Sequence, residues 1–260
     1  MKGVITMEID ISLNLPEPAN KLLNPIAESA GKTLSNVWEG CFAFLNTWGK
    51  KVMLKHELDF IAYKKAVERE ISAIPESNRK EPRLSIIGPA IESSKYYIEE
   101  PIIREMFAKL IAADMDSRKE RLVHPAFVDI VQQMSPNDAQ LLKILPQVGP
   151  VAEIRLYDKK HAAYTPLTSE DIIYIAGLIE SNFDANALSI NNLSRLGIVE
   201  LDHVRTLNDE SHYKAYESFE EYKQGLQVVQ SHSEQYGSVE ISGGMFSITP
   251  LGNAFKKICL

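Results

Sequence analysis

Cysteine is nearly absent. The chain has two, Cys41 and Cys259, far apart and in no CxxC spacing. That excludes a disulfide framework and a zinc knuckle, and it fits a reducing cytoplasm. Phosphate-cradling glycine loops are missing as well. No G-x-S-x-G, P-loop or G-x-G-x-x-G occurs, and Gly88-Pro89 and Gly243-Gly244 read as helix-start and turn devices. Positive charge is scarce: the formal net charge is −7. Binding to phosphate backbones or anionic lipid would therefore need a local basic patch working against the global field. No apolar run approaches the length of a spanning helix, and Glu8 and Asp10 interrupt any signal-peptide core. A cytoplasmic location is expected.

What is present is an ordinary globular composition, 45% apolar and 24% charged over 260 residues, enough for one large domain or two smaller ones. After a short extended lead ended by Pro16 and Pro18, the pattern turns helical. Leu34, Val37, Trp38, Cys41, Leu45 and Trp48 fall at helix spacing, with Phe42 and Phe44 widening the apolar sector. A second helix carries Leu54, Leu58, Ile61, Ile71 and Ile74 until Pro75 stops it. Three compact helices are then predicted: Ile86–Ile98 with Pro89 in its first turn, Pro101–Met115, and one starting at Pro125 with Phe127, Ile130, Val131 and Met134 on one stripe. The charged link 114–124 joins the last two.

From residue 135 the character changes. Ser135-Pro136-Asn137-Asp138 is a helix start with a cap, a proline at the first helical position and a carboxylate at the positive end of the dipole. Pro146, Gly149 and Pro150 should end that helix, and 151–157 alternates like a strand. Thr168-Ser169-Glu170-Asp171 predicts a further helix bearing Ile172, Ile175, Ala176 and Ile179. Asp184 opens the next, with Leu188, Leu193 and Leu196, and Gly197 suits its C-terminal cap. Strands are read at 198–201 and 245–248, with Gly243-Gly244 as the hairpin turn and 249–260 as a last helix. That order is the order of a winged helix-turn-helix. The wing position holds a long polar insertion, about 206–238, helical around 213–229 because a structureless loop of that length is uncommon in a compact domain.

The winged pattern invites a DNA-binding reading with helix 184–196 in a major groove, where Asn186, Asn191 and Asn192 could contact bases. The charges oppose it. Between Gly177 and Leu207 the basic residues are Arg195 and Arg205, against Glu180, Asp184, Glu200 and Asp202. Duplex affinity comes largely from neutralising phosphates, and base contacts do not replace that term. The six histidines form no zinc-ligand spacing. His124, before Pro125, is placed to cap the following helix; the sharper alternative joins it to Asp114, Asp116 or Glu105 as an acid–base or metal site. No spacing forces that, so no catalytic, cofactor-binding or metal residue is nominated. The Leu34–Trp48 helix reads as a core or subunit-packing face, with peripheral membrane contact beside Lys50, Lys51 and Lys55 as the alternative.

Residues 86–145 carry an ordered set of short motifs: Gly88-Pro89-Ala90, Tyr96-Tyr97, Met106-Phe107-Ala108, Ala112–Asp116, His124-Pro125-Ala126-Phe127, and Ser135-Pro136 before Ala139. With 74–82 before it, this stretch resembles the abortive-infection alpha (Abi-alpha) domain family, over most of residues 50–200. The resemblance implies phage defence, in which an infected cell stops growing or dies before phage spread. It implies no catalytic residue and no cofactor, since the shared positions are mainly small, apolar or helix-starting. The expectation is therefore a mainly α protein: a helical region, 1–134, then a winged-helix-like α+β region, 135–260, with a small antiparallel sheet. Its role would be non-enzymatic, through a protein partner or self-association. A winged-helix transcription regulator and a metal-dependent enzyme around His124 stand as alternatives.

Overall fold

Tyr63, Ala66, Val67 and Ile71 recur at helical spacing, and in the computed structural model they form the buried face of helix α1 (Met53–Ser72). The structure describes residues 53–168, 172–173 and 183–260. The predicted Leu34–Trp48 helix lies outside them. α1 ends three residues before Pro75, close to the predicted stop. A 3-10 turn (Glu76–Asn78) leads to α2 (Leu84–Ser94). Pro89 is not in the first turn of α2, as expected, but inside the helix. Its ring removes one intrahelical donor, and the carbonyl left over belongs to Ser85, on an exposed turn where water can reach it.

Helix α3 (Pro101–Asp114) is the hub. Ile103, Met106, Phe107, Ala108, Leu110, Ile111, Ala112 and Ala113 are all buried, so nearly its whole circumference past the first turn is covered. A helix apolar on most sides belongs at the centre, and its three alanines let neighbours approach closely. It packs against α1, α2, α4 (Ala126–Gln132), α5 (Pro136–Ile144) and the last helix, α9 (Pro250–Cys259). Phe127 of α4 meets Phe255 of α9 edge-on at 5.3 Å, so the core runs across the 134/135 position.

Ser135 starts α5 as its sequence demands. Its Oγ accepts the Asp138 N–H at 3.1 Å while Asp138 Oδ2 accepts the Ser135 N–H at 2.7 Å, a complete capping box. The chain then enters β1 (Val148–Asp158), which takes in Gly149 and Pro150 instead of starting after them. β1 pairs antiparallel with β2 (Ala163–Pro166) and with the two-residue β3 (Ile172–Ile173) on one edge, and with β5 (Tyr236–Ile248) on the other. β4 (Val199–Asp202) pairs with the far side of β5, giving the order β2-β1-β5-β4. Ile172 was expected on a helix. Short apolar runs buried on both sides show no period that separates strand from helix, and here sheet pairing with Val151 and Ala152 decides. The remainder of that predicted helix, 169–171 and 174–179, falls outside the described residues.

Gly243-Gly244 is not a turn. Both glycines lie within β5, opposite Ala152 and Val151. They are needed for close approach: a Cβ on Gly243 would sit 2.7 Å from the Tyr213 ring, and one on Gly244 would sit 2.6 Å from the Asp202 carbonyl oxygen. Tyr213 comes from the insertion, which folds as α7 (Ser211–Lys214), a 3-10 turn (Ala215–Ser218) and α8 (Glu220–Ser231). These lie over one face of the sheet. Tyr216 and Phe219 join Ala152, Ile154 and Ile172 in a small separate core, with Tyr213, Tyr222, Val239 and Ile241 at its margin. The result is a helical protein with a curled antiparallel sheet.

Candidate functional site

The element that a winged-helix reading would send into a groove is α6 (Phe183–Arg195). Ala187, Ile190 and Leu193 bury its apolar face, and Gly197, at φ 73°, closes it in the left-handed conformation predicted for its cap. Several of its described polar side chains are turned inward or tied to neighbouring elements. Asn186 and Ser189 are buried. Asn137 of α5 donates to the Ala185 carbonyl at 3.2 Å and to Ser189 Oγ at 2.7 Å. Asn192 donates to Asp138 Oδ2 at 2.8 Å and to the Gln133 carbonyl at 3.0 Å. Asp138 therefore closes the α5 capping box and holds α6 at the same time.

Arg195 completes this clasp. Its guanidinium reaches Asn192 Oδ1 at 2.8 Å and Gln133 Oε1 at 2.9 Å. Arg205, the other basic residue of the 177–207 stretch, hydrogen-bonds Asp202 and lies 3.8 Å from Glu200. Asp202 is pulled down to about 2, first by the Arg205 backbone N–H, then by the Arg205 guanidinium and the Val204 N–H. Of the three asparagines that a DNA-binding reading would set against bases, one is buried and one is spent on the clasp. Asn191 remains exposed, its amide donating to the Ala187 carbonyl at 2.9 Å. The outward stripe of the described side chains is Leu188, Asn191 and Arg195, and Leu188 keeps 73% of its surface in solvent.

The residues of the suggested His124 centre are held apart by other partners. Asp114 is fully buried and accepts the Arg83 backbone N–H at 2.6 Å and its Nε at 2.7 Å. Asp116 accepts the Arg118 guanidinium and lies below the usual carboxylate range, chiefly for that reason. Glu105 pairs with Arg69. His124 Nδ1 accepts the Ala126 N–H at 3.1 Å, which is the capping role. Among the described residues no group of three His, Cys, Asp or Glu side chains could hold a metal ion. Burial pushes the Cys259 thiol up, away from the reactive thiolate form. The Arg83–Asp114 pairing was not readable from the chain: the two are 31 residues apart, and no local spacing links them.

Among the described residues no helix is long and apolar enough to cross a membrane. No curated protein matches the chain. One solved structure, that of an uncharacterized protein from the hydrocarbon-degrading marine bacterium Alcanivorax borkumensis SK2, is 17% identical; the match covers 55% of this chain and 94% of that one, with a TM-score of 0.29. A likeness this slight carries no structural argument. The family model described as abortive infection alpha matches residues 55–259, through the helical core, the sheet and the last helix. The chain thus belongs to the abortive infection alpha family.

Proposed function

We propose that this protein acts in phage defence as a cytoplasmic, non-enzymatic factor, working through contact with another protein or with copies of itself. Family membership over residues 55–259 is the observation that carries the defence reading. The inward commitment of the polar side chains of α6 supports the contact mechanism. A surface offering an exposed leucine, one asparagine and an arginine already engaged suits a protein partner better than a phosphate backbone. The order α5, β1, α6, β4, β5, α9, with β1 and β4 flanking β5, supports treating residues 135–260 as a winged-helix-like module and 1–134 as its helical companion. In that reading the insertion at about 206–238 replaces a simple wing and fills the sheet face.

Phage challenge of cells carrying the intact gene, the gene with Leu188→Glu, or no gene tests the reading. Protection is expected with the intact gene and loss with the variant, and affinity capture should retain a protein only with the former. Equal phage yields in all three cultures would remove the defence role. A gel shift of random duplex at low salt discriminates the runner-up, a DNA-binding regulator, because a true binder shows non-specific affinity there.

A further inference from the structure

Two loops meet at one end of the helical core. The Ser117 N–H donates to the Asn78 carbonyl at 2.9 Å, and the Lys80 N–H to the Met115 carbonyl at 3.0 Å. Arg79 and Asp116 form an isolated β-bridge between them. Arg83 spans the gap, its guanidinium donating to the Val123 carbonyl at 3.2 Å. Its neighbour Leu84 and the residue before Val123, Leu122, thus sit on the two loops that this bond ties together. Both are exposed, Leu84 at 84% and Leu122 at 39%.

Basic residues outnumber acidic ones on these two loops, with Arg79, Lys80, Arg83, Arg118, Lys119 and Arg121 against Glu81 and Glu120. Lys80 pairs with Glu120 at 2.8 Å, and Arg83 and Arg121 bear on the same carboxylate. Arg118 and Lys119 follow on the same loop. Two of the arginines are fixed from beneath, Arg83 by Asp114 and Arg118 by Asp116, so their positions are set before any partner arrives. In a chain of net charge −7, the two loops are a local excess of positive charge.

We propose that this double loop, residues 78–85 and 117–125, is a docking surface for an anionic lipid bilayer, with Leu84 and Leu122 entering the interface and Lys80 and Arg121 among the headgroups. The occupant follows from the shape of the patch. A leucine exposed at 84% at a helix start projects instead of lining a groove, and a fluid interface covers such a side chain without a matching pocket. A nucleic-acid backbone would use the cations and leave the leucines in water. The cationic rim complements acidic headgroups over a Debye length. This inference is independent of the defence role, and neither fails with the other.

Co-sedimentation of the full chain with large vesicles tests it. One set is phosphatidylcholine alone; the other is equal parts phosphatidylcholine and phosphatidylglycerol. Binding is expected only to the anionic set, weakening as salt rises. Leu84→Ser with Leu122→Ser should lower partitioning roughly ten-fold, and Lys80→Glu with Arg121→Glu at least as much, with unchanged thermal unfolding. Four results overturn the proposal: no binding, equal binding to both vesicle sets, binding that survives the leucine substitutions, or loss confined to Trp38→Ser and Trp48→Ser. So would a single-stranded oligonucleotide that displaces the vesicles and binds the leucine variant equally well.

Discussion

Helices α3 and α6 are held in opposite ways. α3 is enclosed by apolar neighbours on most of its circumference, and the one charge it buries, Asp114 at its C-terminal end, is met by the backbone N–H and guanidinium of Arg83. α6 has a narrower apolar face and is stitched to α5 by side-chain hydrogen bonds from Asn137 and Asn192, and to Gln133 at the end of α4 by Arg195. Burial of a large apolar surface is worth several kcal/mol, and leaving an interior charge unpaired costs about as much, whereas a hydrogen bond at a half-exposed seam contributes about 1 kcal/mol net. The comparison separates an enclosed hub from a helix fastened by a polar seam on one side and open to solvent on the other.

Removing Arg83 attacks the hub and should have the largest effect. Arg83→Ala strands a fully buried carboxylate and should cost about 3 kcal/mol or more in urea unfolding, while Arg83→Ala combined with Asp114→Asn should recover part of that loss. A cost under about 1 kcal/mol would show that the buried pair does not anchor the hub. Next comes the seam. Asn192→Ala removes donors to Asp138 and to the Gln133 carbonyl and should cost about 1–2 kcal/mol, with amide exchange rising in α6 before α3. Uniform exchange across both helices would erase the distinction between them.

The smallest effects belong to the exposed ion pairs. Arg205→Ala should leave stability at neutral pH nearly unchanged. Its signature is expected in acid. Asp202 and Asp158 both lie at about 2 in the folded chain against 3.8 ordinarily; for Asp158 the His161 ring is the main cause. The native state therefore binds fewer protons, so these groups contribute stability above the ordinary value that is lost as pH falls from 3.8 toward 2. Arg205→Ala should flatten that acid limb only in part, because the Arg205 backbone N–H still reaches Asp202. His161→Ala should flatten it further. An acid limb identical in all three proteins would separate these carboxylates from acid stability.

Much of the helical scaffold could be read from local chemistry. Ser135 and Asp138 make the capping box their spacing announces, Gly197 takes the positive φ expected of a helix terminator, and Thr249 caps α9 by accepting the Gly252 N–H at 2.9 Å. The site was less legible. Asn186, Asn191 and Asn192 looked alike in the chain, and only packing against α5 sends the first inside and ties the third to Asp138. His124 announced its capping role through Pro125, but nothing local announced that Arg83 would take Asp114.

By itself the sequence determined several helix starts and stops, the acidic balance and the family likeness, because caps, prolines and charges act within a turn or over the whole chain. The tertiary structure alone decided which strands pair, why Gly243 and Gly244 must lack side chains, and which polar groups of α6 stay exposed. Those outcomes depend on atoms many residues away: the Tyr213 ring crowds Gly243 and the Asp202 carbonyl crowds Gly244. No local pattern encodes such a contact.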